Sequence, residues 1–103
     1  MRDYLIDFRK INWENPALGI SHKVYISDSM KIRLLEFNDE LFEKEWCLKG
    51  HVGYVLEGNL SIDFSGELVE FKHGDGLFIP EGTKHKAKIA KGEKALLIMF
   101  EKV

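Results

Sequence analysis

The chain has one cysteine, two prolines and no apolar stretch near the ~20 residues that a membrane-spanning helix needs. A lone thiol cannot close an internal disulfide, which fits a reducing compartment. Neither sign of charge dominates: 15 Lys and Arg stand against 17 Asp and Glu, interspersed, for a net charge of −2. That balance gives no electrostatic footprint for nucleic acid or an anionic membrane, and neither is an expected partner. The opening MRDYLIDFRK carries charges inside any apolar centre and lacks a small-residue cleavage site, so it does not read as a signal peptide. A Gly-rich phosphate loop ahead of a helix, a nucleophile elbow, internal repeats and low-complexity linkers are also missing. The expectation is a single soluble, cytoplasmic domain of 103 residues, with 45% hydrophobic content to build its core.

A convincing long helix is absent too; what is present is a succession of short alternating segments. Residues 1–20 read as an N-terminal arm, either with Tyr4, Leu5 and Phe8 on one helical stripe or extended, packing on the main domain or on a partner subunit. Trp13 belongs to that packing or to a pocket wall. From Ile20 the strand signals recur: Val24 and Ile26, then a Ser27-Asp28-Ser29 turn, then Met30, Ile32 and Leu34 alternating with Lys31 and Arg33. A bulge at Leu34-Leu35 is expected to shift the buried set to Leu35 and Phe37. Leu41 to Leu48 reads as another strand, and His51 to Glu57 as the next, closed by a Gly58-Asn59 hairpin turn. Leu60, Ile62 and Phe64, then Val69 and Phe71, alternate around a Ser65-Gly66 turn. The last run, Ala95 to Phe100, is apolar on both faces, which suggests burial against another sheet or subunit and a homodimer. Many short strands separated by turns make an all-β sandwich or barrel.

One stretch, GDGLFIPEGTKH from Gly74 to His85, organises the rest. Gly74-Asp75-Gly76 is a turn signal, Leu77-Phe78-Ile79 a short buried strand, and Pro80 its terminator, since proline donates nothing to a ladder. Glu81-Gly82 turns the chain again and delivers His85 to the start of the next strand. This spacing (Gly, five residues, Pro, one residue, Gly, two residues, His) resembles the second motif of the cupin family, with Gly74, Pro80, Gly82 and His85 in place. The family's following Asn falls on Ile89. Upstream, GHVGYVLEG resembles the end of the first motif, and counting back from Gly58 puts His51 where the family has its Glu ligand. The family's His-x-His pair falls on Glu45 and Cys47, and its opening Gly on Asp39.

The resemblance covers roughly residue 30 to the end and implies a single-domain cupin-like β-barrel, a jelly roll, over residues 21–103. It implies that Glu45, Cys47, His51 and His85 converge inside the barrel mouth as pocket residues and metal ligands. A carboxylate, a thiolate and two imidazoles suit Zn, Fe, Ni or Co better than Mg or Ca. The residues leave two readings open, one divalent transition metal or a metal-free pocket. Glu45 in EKEW also fits a solvated strand face, and Cys47 also fits a small buried hydrophobe. His22 and His73 lie outside the motif positions and are expected at the surface or in loops. Lys84 and Lys86 should point away from His85, and Trp46 and Tyr54 should pack on the opposite face from Cys47 and His51.

Three functions follow. The first is a protein that binds a small molecule in the barrel mouth, with or without a divalent metal. The second is a metal-dependent oxygenase, isomerase or lyase acting on a small organic acid or sugar derivative. The third is a non-catalytic, dimeric structural or interaction protein with a vestigial pocket. Fold alone does not choose among them.

Overall fold

The computed structural model describes residues 4–103, so the first three residues of the expected N-terminal arm lie outside the described residues. The described residues form eight strands: β1 (Glu14–Ala17), β2 (Ile20–Ser27), β3 (Met30–Asn38), β4 (His51–Asp63), β5 (Leu68–Lys72), β6 (Gly76–Ile79), β7 (Lys86–Lys88) and β8 (Lys94–Lys102). All pairings are antiparallel, in the order β1-β2-β3-β8-β4-β5, with β6 and β7 also laid along β4. The expected all-β barrel is therefore the architecture. No helix among the described residues is long and apolar enough to cross a membrane.

β4 joins the two halves of the barrel. Its first half, from His51 to Gly58, pairs with β8 and, through Tyr54, with β6. Its second half, from Asn59 to Asp63, pairs with β5 and β7. Gly58, where a hairpin turn was expected, lies inside this continuous strand. Its φ of +75° falls in the left-handed region, and an added Cβ would collide with the Lys94 carbonyl oxygen. A register shift between Val55 and Glu57 accompanies it. Glycine and a bulge here bend one strand between sheets rather than reversing it.

The core fills the space between the inner faces. Leu97 on β8 stands between Leu35 on β3 and Val55 on β4, and all three are at most 2% exposed. Each such side chain contributes on the order of 2 kcal/mol through burial. Phe37, Leu60, Ile62, Leu77, Ile79, Ala87, Ala95 and Met99 complete the cluster. The turn–strand–turn expectation over 74–85 matches the structure, with Leu77 and Ile79 buried and Phe78 outward.

Two further strand expectations are corrected. Residues 41–50 form an irregular loop whose one ladder contact is an isolated bridge, Cys47 to His85. No bulge interrupts β3: its register with β2 and β8 is unbroken from Met30 to Phe37. The inner face of β3 is Lys31, Arg33, Leu35 and Phe37, so two charged side chains point inward where alternation read them as solvated. Ile32 and Leu34 take the outer face instead.

Of the N-terminal segment, residues 8–10 form a 3-10 turn and β1 extends the sheet beside β2. Lys23 on β2 clasps it, with Nζ donating to the Phe8 carbonyl at 2.7 Å and standing 5.1 Å from the Trp13 ring centroid.

Candidate functional site

The site is assembled from a loop, a turn and two strands. Cys47 and His85 exchange both backbone hydrogen bonds, at 2.9 and 3.0 Å, which sets their side chains on one face. The Gly82 N–H donates to the Leu48 carbonyl at 2.8 Å and locks the loop to the 80–85 turn. Gly50 lets the two segments lie close, since a Cβ there would come within 3.0 Å of the Glu81 nitrogen. His51 enters from the start of β4, one position beyond the Val52–Phe100 pair, and so stands opposite Glu101 of β8.

One ligand atom from each of Cys47, His51 and His85 gathers within 4.8 Å of the others. Cys47 Sγ lies 3.9 Å from His51 Nε2, and the two imidazoles meet edge to face at 5.2 Å between centroids. His85 is 4% exposed, and its Nδ1 donates to the Thr83 carbonyl at 2.8 Å. His51 Nδ1 donates to Glu101 Oε2 at 2.7 Å. A carbonyl and a carboxylate only accept, so in its neutral form each ring carries its proton on Nδ1 and presents an Nε2 lone pair. Fixing the tautomer from behind is what metal-binding imidazoles require. Two imidazoles and a thiol so held fit a tetrahedral or open transition-metal site.

Glu101 anchors a second, charged layer. It accepts from His51 and from Arg33 Nη1 at 3.2 Å, and Lys31 Nζ lies 3.6 Å away. Burial alone would raise its pKa, but the His51 hydrogen bond and the Arg33 charge bring it down to about 2. Glu101 is therefore a carboxylate, consistent with its accepting role. Arg33 Nε and Nη2 both donate to His22 Nδ1, at 3.2 and 2.9 Å. Burial, then the Arg33 charge, lowers the pKa of His22.

Cys47, His51, His85 and Glu45 all line one cavity of about 430 Å3, floored by Leu35, Leu60, Ile62 and Met99. Glu45 is exposed at its rim, and its carboxylate is not among the atoms that gather at the centre. Its place in an irregular loop explains this, because no strand aims it alongside Cys47. His22 is corrected from a surface role to this charged layer, whereas His73 is exposed at a turn. Trp46 lies outside with Lys86 Nζ 4.7 Å from its ring centroid, and Tyr54 is half exposed on the outer face. Gly53, two residues beyond His51 on β4, serves a close strand crossing, since a Cβ would meet the Ile98 carbonyl oxygen at 2.5 Å.

Glu101, Arg33 and His22 are absent from the sequence-derived set. The signal for Glu101 was available: Ala95, Leu97, Met99 and Glu101 share one face of β8, so a carboxylate ends a buried row.

The family model for the cupin domain matches residues 49–101, just over half of the chain. The chain belongs to the cupin family. Solved structures agree on the fold of this cupin. The polyketide cyclase RemF from Streptomyces resistomycificus superposes with a TM-score of 0.83 at 18% identity, over 98% of this chain and 80% of that one. An RmlC-like cupin from Shewanella frigidimarina gives 0.74 at 17% identity, over 98% and 91%. KdgF from a Halomonas species gives 0.72 at 21% identity, over 91% and 89%. No curated protein matches the sequence.

Proposed function

We propose that this cupin binds one divalent transition metal through Cys47, His51 and His85 and uses it to hold a small organic ligand in the barrel cavity. The observation that carries the reading is the pair of imidazoles tied by Nδ1 to Glu101 and to the Thr83 carbonyl, with one ligand atom from each ring and the Cys47 sulfur all within 4.8 Å of one another. The thiolate and imidazole set favours Zn, Fe, Ni or Co. When bound, the metal supplies Lewis-acid polarisation of a ligand oxygen. The chain's own residues do the rest. Glu101 orients His51, the Cys47–His85 bridge fixes the other two donors, and the apolar floor excludes water from the buried end of the ligand.

Elemental analysis of untagged protein purified without chelators tests this, beside Cys47→Ser and His85→Ala variants. Near-stoichiometric metal in the parent and loss in both variants is the expected result. A parent that takes up none of the four ions on soaking would refute it.

Catalysis is the second reading. A carboxylate–imidazole pair facing a cavity can hold and orient a proton beside a ligand, and one protein of like fold is named as a polyketide cyclase.

A homodimer is proposed on separate grounds. Tyr25, Ile32, Phe100, Val52 and Phe78 form one row across five strands of the outer face, and four of them are between 38% and 74% exposed. A second copy laid on this row would cover it.

A further inference from the structure

The barrel cavity does not end at the candidate metal ligands. It adjoins an open groove of about 650 Å3 lined by Glu14, His22, Val24, Ile26, Lys31, Arg33 and Lys49. Arg33 and Lys49 line both spaces and mark the seam between them. We propose that this seam binds the anionic group of a small amphiphilic ligand, a carboxylate or a phosphate, while the ligand's apolar part enters the barrel.

Lys49 comes first. It is exposed, borders both cavities and makes no hydrogen bond or ion pair among the described residues. An unpaired ammonium at the mouth of an apolar pocket has the charge and the freedom to meet an incoming anion.

Arg33 supplies the rigid half. Its guanidinium is held from two sides, by His22 through Nε and Nη2 and by Glu101 through Nη1. Among the described residues Nη2 has no partner other than His22, so its second hydrogen is uncommitted there. A guanidinium already oriented loses little rotamer entropy when it binds a planar or tetrahedral oxyanion.

Four acids line or border these spaces: Glu43 is turned to the Ala87 N–H, from which it accepts at 3.0 Å, and Glu45 is exposed to solvent at the rim. Glu101 is engaged by His51, Arg33 and Lys31 and is 8% exposed. Glu14 is 72% exposed on β1 and faces His22 at 3.8 Å. Below the seam one wall of the cavity is apolar, with Leu35, Leu60, Ile62, Ile79 and Met99 along it, beside the Cys47, His51 and His85 cluster. A charged rim over an apolar well selects a ligand with an acidic head and a short hydrocarbon or aromatic body.

The inference rests on the barrel being a ligand pocket and is independent of the metal. Calorimetric titration with hexanoate, hexyl phosphate and hexanol tests it, on protein as purified and again with excess chelator. Either anion should bind roughly tenfold or more tightly than hexanol, with or without chelator, and should weaken as salt rises. The tighter of the two identifies the head group. Lys49→Met, at an exposed position, should lose most of that preference while its metal content stays that of the parent.

Equal binding of hexanol, loss of binding on chelation, no binding of either anion at millimolar concentration, or a Lys49→Met variant that binds like the parent would each overturn the proposal. Anion binding by a protein that takes up no metal would sink the metal reading and leave this one standing. Metal uptake without anion binding would do the reverse.

Discussion

His51 Nδ1 and Glu101 Oε2 are held at 2.7 Å across β4 and β8, and this one contact joins the candidate metal layer to the charged layer beside it. It fixes the tautomer of His51 and gives a buried carboxylate its strongest partner. Glu101→Gln keeps an acceptor but removes the charge. The variant should fold and bind metal with roughly tenfold lower affinity, because the imidazole becomes a weaker donor. Competition against a chelator of known affinity measures this; an unchanged constant would mean that Glu101 plays no part in metal binding.

Acid should act on the fold in two windows. Glu101 has its folded pKa lowered from 4.5 to about 2, so its stabilisation is present above 4.5 and disappears as pH falls from there toward 2. The difference amounts to about 3 kcal/mol. His22 also has a lowered folded pKa, so the native state prefers it neutral, and stability should begin to fall as pH drops through 6.5. Urea unfolding at pH 8, 5.5 and 3 reads both steps. In Glu101→Gln the lower step should shrink and the upper one persist; equal losses below pH 4.5 in parent and variant would contradict the assignment.

Gly58→Ala should be severe for a one-methyl change. The position combines positive φ with a Cβ collision against the Lys94 carbonyl. A loss of at least ~2 kcal/mol is expected from backbone strain. Gly66→Ala, also at positive φ but with open space around its Cβ position, should cost less. Denaturant midpoints compare the two, and a smaller loss at Gly58 would discredit its role as the bend in β4.

The outer face predicts a dimer mass by light scattering at micromolar concentration. Val52→Lys, in the middle of the apolar row and 45% exposed, should yield monomer with the fold intact. A parent that is already monomeric leaves the row without a second copy to cover it.

The turns were the most legible part of the chain. Gly74, Pro80 and Gly82 announce their backbone needs in their identity, and the strand they bracket follows at the expected place. Alternation was less informative, because a period of two shows that a strand has two faces without saying which faces inward. On β3 the inward face carries Lys31 and Arg33 near the mouth and Leu35 and Phe37 in the core, so polarity changes along one face and imitates a bulge. The loop at 41–50 imitates a strand for a related reason. Its Leu41, Glu43, Glu45 and Cys47 alternate with other residues, yet its one ladder pairing is the isolated Cys47–His85 bridge. Glu101 and His22 owe their roles to cross-strand neighbours distant in sequence, and no local pattern reports such neighbours.

A barrel in which one strand belongs to both sheets has no seam along which to come apart. β4 is bonded on both flanks near each end, to β8 and β6 over Val52–Tyr54 and to β5 and β7 over Ser61–Asp63. Melting either sheet strips partners from the strand that holds the other. The two halves therefore have no separate lives, and heating should dissolve them in a single step.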